Sequence, residues 1–189
     1  MSLLNYAKMP FSFHGGWDVV AGVHPSIRKT FFALILPFSL IPPLSLLYAG
    51  GNHGAIFLVH ASFSRWQGVA IAFFVVELLT VPLIGWVIKN IAATHNIVAD
   101  SKDTFLLAAI TAVPMWLSSL ALAIPHLWLM MGIVVSGLLA AASLLYHGMY
   151  TVLKMSDQIE AQSMSYEAFA VGGFVWAMLC VFVVVPLMG

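Results

Sequence analysis

The sequence is poor in charge, in basic runs and in cysteine. Only 7% of its 189 residues are charged, and seven Lys and Arg residues balance seven Asp and Glu residues. In soluble domains roughly a quarter of all residues are charged. Disordered and nucleic-acid-binding chains need an excess of charges of one sign. These three classes are therefore excluded, and no nucleic-acid partner is expected. The single cysteine, Cys180, excludes an internal disulfide and lies in an apolar run, where packing is expected.

Apolar residues, by contrast, are abundant. Hydrophobic residues make up 62% of the chain, and the mean hydropathy is +1.02. A soluble fold of this length leaves too much of its surface in water to hide so many apolar side chains. Lipid is therefore the expected solvent.

Five apolar runs have the length of about 20 residues that a helix needs to cross the hydrocarbon layer. We therefore predict an all-α, polytopic integral membrane protein, a bundle of five transmembrane helices. The N-terminal residues 1–24 have features of an interfacial helix, and residues 25–189 form the membrane domain. The predicted spans are residues 30–49, 68–88, 104–124, 127–146 and 168–188.

The positions of Lys and Arg predict the orientation. With a cytoplasmic N-terminus, six of these seven residues lie on the cytoplasmic side and Arg65 alone lies on the far side. Short cytoplasmic loops retain positive charge, so we expect the C-terminus on the far side. Trp66 and Trp86 bracket the second span and Trp128 begins the fourth, as expected for side chains in the headgroup layer.

Two short patterns predict helix starts. Ser101 ahead of Asp103, and Ser165 ahead of Glu167, each place a capping hydroxyl before an acid near the positive end of a helix. Both pairs therefore have a structural explanation as caps.

The segment 147–167 is predicted to be a cytoplasmic loop with a net charge of minus two. Asp157 and Glu160 within it resemble a capping box that opens a short helix. A solvated loop is one interpretation, and a docking surface for a protein at Asp157 and Glu160 is the other.

Glu77 is the acidic residue that falls inside a predicted span. A carboxylate at this depth costs on the order of several kcal/mol unless it is protonated, paired or hydrated. A protonated carboxyl that hydrogen-bonds a neighbouring helix is the structural explanation. The functional explanation is a proton or cation relay, or a counter-ion for a ligand.

Prolines interrupt the predicted spans at Pro42, Pro43, Pro82 and Pro114. Each interior proline removes a helical hydrogen bond and bends the axis, and the freed carbonyl needs a partner or a cavity. Transporters build binding sites from such breaks. We expect these prolines to shape a pocket, and its first expected location is Pro42 and Pro43 together with Glu77 and Pro82 of the next helix.

Small residues and histidines complete the candidate features. Gly132, Ser136 and Ala140 form a stripe in the fourth span where another backbone can approach, either from this chain or from a second copy. The seven histidines show no recognised ligand spacing. No metal site, cofactor or catalytic residue is predicted.

Three stretches carry a family resemblance: HPSIRKTFFALILPFSLIPPLSLLYAG at 24–50, DTFLLAAITAVPMWL at 103–117 and ASLLYHGMYTVLKMSD at 142–157. They resemble bacterial inner-membrane proteins of the Yip domain family, relatives of the eukaryotic Ypt/Rab-interacting proteins. The resemblance implies a multi-pass protein of the bacterial inner (cytoplasmic) membrane with five spans and no catalytic residues.

In eukaryotes the family implies association with prenylated Rab GTPases and with its own relatives. The long N-terminal region of those members has no counterpart ahead of Pro25, so Rab-type GTPase binding is not expected. We expect a non-enzymatic protein that acts through protein or lipid binding in the membrane, as an adaptor, scaffold or subunit, with other membrane proteins or a second copy as partners. The alternative is a small transporter or channel that uses Glu77 and proline-bent helices.

Overall fold

The computed structural model describes residues 9–12, 16–54 and 61–188. The structure is 86% helical, and its described residues contain no strand. A 3-10 turn, Met9–Phe11, and a short helix, α1 (Trp17–Val23), precede five long helices. Each long helix is long and apolar enough to cross a membrane, which confirms the predicted five-helix, all-α fold. They are α2 (Ile27–Asn52), α3 (Phe63–Thr94), α4 (Ser101–Ala123), α5 (Leu127–Val152) and α6 (Gln158–Met188).

The helices extend beyond the predicted apolar spans because polar turns continue the same helix. The segment 147–167, predicted to be a loop, is mostly helical: its first residues finish α5 and residues 158–167 begin α6. The short helix expected after Asp157 is therefore the first part of α6, and the connection shrinks to residues 153–157.

Neither Ser101 nor Ser165 is a cap, although Asp103 lies in the first turn of α4 as predicted. The N-cap of α4 is Asp100, whose carboxylate accepts a hydrogen bond from the backbone N–H of Lys102 at 3.0 Å. Asp103 also contacts His24, with 2.7 Å between Oδ1 and Nδ1. Ser165 lies inside α6 and donates to the carbonyl of Ala161 at 2.6 Å.

Helix α2 is irregular, and its prolines explain why. A π-helical turn, Phe31–Ile35, precedes Pro37, and the α-helix breaks at Leu40 and resumes with Pro42 and Pro43 in its first turn. Proline lacks the N–H that an interior position needs but is tolerated in a first turn. The helix therefore restarts just before Pro42 and Pro43, in the turn where a missing backbone N–H breaks no helical hydrogen bond.

Helix α4 occupies the centre of the bundle. It packs against α2, α3 and α5, while α6 packs against α3 and α5. The helices α3, α4, α5 and α6 thus close a ring in which α4 faces α6. Of the apolar stretch of α4, 44% is buried within the protein, whereas the buried share is 17% for α5 and 11% for α6.

The N-terminal segment packs onto one end of this bundle, called here the α1 end. Trp17 is fully buried there, and its indole Nε1 donates to the carbonyl of Met9 at 2.8 Å. A Cβ atom added at Gly148 in α5 would lie 2.6 Å from the Trp17 ring. Gly148 therefore provides the space that the indole fills. Residues 1–8 and 13–15 of the predicted interfacial segment lie outside the described residues.

Tryptophans at the span ends do not all face outward. Trp86 and Trp128 are exposed, but Trp66 is buried against α2. A Cβ atom added at Gly50 would overlap its ring. The indole of Trp66 therefore packs inside the protein, because a glycine on α2 leaves room for its ring, and its position in the headgroup layer stays a prediction.

Candidate functional site

Glu77 lies on the buried face of α3. It shares this face with Ala70, Val81 and Ile88, which are separated from it by four, seven or eleven positions and so by nearly whole helical turns. Only 7% of its surface is exposed. The carboxyl group thus points to the interior of the bundle and not to the surrounding lipid.

The carboxyl has one polar neighbour and one unsatisfied oxygen. The indole of Trp116 in α4 lies beside the Glu77 carboxyl, and Phe38 of α2 stacks on Trp116 with ring centroids 6.5 Å apart. The carboxyl oxygen Oε2 has no hydrogen-bond partner in the described part of the chain. A buried polar atom without a partner is rare and calls for an explanation.

Two cavities adjoin Glu77 within the membrane domain. The first, of about 120 Å³, lies inside the ring of α3, α4, α5 and α6. The second, of about 470 Å³, lies nearer the end of the bundle away from α1 and also reaches α2. Both are lined by Glu77, Met115, Trp176 and Leu179. These four side chains form the boundary between the two spaces.

The hydroxyl groups in the cavity walls already donate hydrogen bonds to backbone carbonyls of their own helices. Thr80 donates to the Glu77 carbonyl at 2.8 Å and Thr111 to the Leu107 carbonyl at 2.8 Å. Ser118 and Ser119 donate to carbonyls of the preceding turn, at 2.7 and 2.6 Å. The walls are otherwise almost entirely apolar.

The family model of the Yip1 domain matches residues 11–185, which include α1 to α5 and nearly all of α6. The chain belongs to the Yip1 domain family. The match confirms the resemblance inferred from the sequence. No curated protein and no solved structure matches the chain.

The four candidate prolines of this Yip1 domain do not share one pocket. Pro42 lines the larger cavity together with Glu77. Pro82 lines a different cavity, of about 410 Å³, at the α1 end between α2, α3 and α4. The carbonyl of Pro114 faces Gly137 of α5, 3.0 Å from where a Cβ atom would lie, and Pro43 is buried in α2.

The two residues predicted to form a docking surface have partners within the Yip1 domain itself. Asp157 accepts a hydrogen bond from the backbone N–H of Ile159 at 2.8 Å and so caps the start of α6. Glu160 lies 3.5 Å from Nδ1 of His95, and Glu167 lies 3.1 Å from Nε2 of the same ring. The hydrogen bond that the His95 ring donates to Glu167, together with the charge of Glu167 and the contact with Glu160, raises the pKa of His95.

The sequence does not indicate the contact between His95 and Glu167, because the two residues are 72 positions apart. His95 lies at the end of α3 and connects that helix to the start of α6. Across the described ranges, no three His, Cys, Asp or Glu side chains are grouped to hold a metal ion. Cys180, expected to pack, is exposed at the edge of the larger cavity.

The close approach between α4 and α5 occurs beside the predicted small-residue stripe and not on it. A Cβ atom at Gly137 would lie 2.7 Å from the Ser118 side chain. Gly132 and Ser136 are exposed, and nothing lies within 4 Å of a Cβ atom at Gly132. Most of the stripe therefore remains on the outer surface of the Yip1 domain.

Proposed function

We propose that this protein is a non-enzymatic integral membrane protein that binds other membrane proteins or lipids within the bilayer, as an adaptor, scaffold or subunit. The observation that carries the proposal is the exposure of α5 and α6, whose apolar stretches are only 17% and 11% buried. The exposed Gly132 and Ser136 let another backbone approach α5 closely, as small residues do between membrane helices.

The same proposal places the protein in the bacterial inner membrane with its N-terminus in the cytoplasm and its C-terminus on the far side. The described Lys and Arg residues other than Arg65 lie at the α1 end, near the starts or ends of helices. Positive charge is retained on the cytoplasmic side of membrane proteins. This distribution supports a cytoplasmic α1 end, and a Rab-type GTPase is not among the proposed partners.

The second candidate function is transport, and Glu77 is the observation that favours it, since this carboxyl lines two cavities. Ion transport, however, needs a polar or hydrated path, and the cavity walls are almost entirely apolar. We therefore expect proton flux in liposomes to be the same for wild type and Glu77→Gln. A flux that only the wild type supports would establish the transport function.

Partner binding is tested by extraction of the tagged protein directly into lipid nanodiscs, followed by mass spectrometry of the proteins that come with it in fixed stoichiometry. We expect a reproducible protein partner or a second copy, and we expect Gly132→Leu to weaken that association. Gly68→Leu is the matched control, because Gly68 is an exposed glycine on α3 with nothing within 4 Å of its Cβ position. Recovery of only the protein and bulk lipid would contradict the adaptor function.

A further inference from the structure

We propose that the two cavities at Glu77 hold a long-chain lipid whose hydroxyl group hydrogen-bonds the Glu77 carboxyl. This inference goes beyond the proposed function, because the ligand lies in the cavities that reach Glu77 and not on the outer faces of α5 and α6. The three observations behind it are an unpartnered buried oxygen, two apolar cavities that meet at that residue, and an opening to the lipid.

The hydroxyl group follows from the chemistry of Glu77. Its Oε2 has no partner among the described residues, and its terminal torsion is broad, so that a small rotation presents this oxygen to the cavity. A hydroxyl can donate to a carboxylate and can accept from a carboxylic acid. It therefore satisfies the oxygen in either protonation state, which an ammonium group or an ether cannot do.

The long apolar chain follows from the size and walls of the cavities. The larger cavity, of about 470 Å³, falls within the range of roughly 300–1,000 Å³ that small-molecule sites occupy. A transmembrane helix of about 10 Å diameter fills roughly 420 Å³ for every turn, so the cavity has room for about one turn and a membrane-spanning partner helix does not fit. A single hydrocarbon chain does, and the almost entirely apolar walls suit it.

The bilayer provides a way in for such a molecule. Met131 and Val135 of α5 and Val184 of α6 line the larger cavity and are also exposed on the outer surface. A lipid chain can therefore enter between α5 and α6 without crossing water. Glu77 lies at the inner limit of this space, where the hydroxyl group would be held.

The test uses the full-length protein in nanodiscs and two photoreactive probes, myristyl alcohol and tetradecane, each carrying the same diazirine. We expect the alcohol to label peptides that contain Met115, Trp176 or Leu179. We also expect it to bind about twofold to tenfold more tightly than the alkane, the factor that one net hydrogen bond supplies.

Two variants separate the site from general lipid contact. In Glu77→Met the site should no longer prefer the alcohol over the alkane. Each probe partitions into the nanodisc equally for variant and wild type, so comparing the alcohol-to-alkane ratio of the two proteins removes the effect of partitioning. Gly173→Leu should reduce labelling by both probes, because Gly173 lines the smaller cavity and nothing lies within 4 Å of its Cβ position. Gly132→Leu, on the outer face of α5, should leave the labelling unchanged.

Equal probe preference in Glu77→Met and wild type would overturn the proposal, and so would unchanged labelling of Gly173→Leu. If size-exclusion chromatography shows that Glu77→Met does not fold, the preference of the wild type for the alcohol and the labelling of Gly173→Leu still test the proposal. The partner experiment responds to Gly132→Leu and not to Gly173→Leu, so the two proposals can fail independently.

Discussion

At the α1 end, Gly148 is the position where one added methyl group should lower the stability of the fold most. In Gly148→Ala the new Cβ atom would overlap Leu107 and lie 2.6 and 2.9 Å from ring atoms of Trp17. Both neighbours are fully buried, and the indole is also held by its hydrogen bond to Met9. Neither side chain can move aside without loss of packing. Overpacking of this kind costs about 1–3 kcal/mol.

The matched control is Gly132→Ala, whose Cβ atom meets nothing within 4 Å. Both changes gain the same helix propensity of about 1 kcal/mol, so the difference between the two variants isolates the overpacking. Thermal unfolding in detergent should place the Tm of Gly148→Ala roughly 2–12 °C below that of Gly132→Ala. Equal Tm values for the two variants would refute the tight packing of Trp17 against α5.

Two further predictions concern single contacts between helices. Gly50→Ala should lower the Tm more than Gly51→Ala, because only the former Cβ atom would overlap the buried Trp66 ring; equal shifts in thermal unfolding would contradict this packing. Since Glu167 raises the pKa of His95, the folded protein binds this proton more tightly than the unfolded chain does. The resulting stabilisation is complete below about pH 6.5 and is lost as the pH rises through the raised pKa. The Tm advantage of wild type over Glu167→Gln should therefore be larger at about pH 6 than at about pH 9, and an advantage independent of pH would contradict the contact.

The five helices could be predicted because hydropathy is a local property of each segment. The same property underestimates their lengths, since polar turns such as residues 158–167 continue α6 without adding to the apolar signal. The burial of Glu77 could also have been predicted. It shares a helical face with Ala70, Val81 and Ile88, and that face is apolar apart from the carboxyl group.

The contacts between distant residues could not be predicted. Trp17 is buried because a glycine in α5, at position 148, leaves room for its ring. His95 pairs with Glu160 and Glu167 because α3 ends where α6 begins. Nothing within a few residues of either side chain signals its partner, since each pairing depends on how the helices are arranged. The division of the prolines between separate cavities has the same origin.

The most direct test of binding within the membrane is site-specific photo-crosslinking in living cells. A photoreactive residue would replace Leu139 on α5 or Phe174 on α6, which are 66% and 64% exposed, and fully buried Leu107 would be the control. Binding through the exposed helices predicts a discrete crosslinked protein from Leu139 or Phe174 and none from Leu107. Lipid adducts alone at both exposed positions, with no crosslinked protein, would contradict the adaptor function.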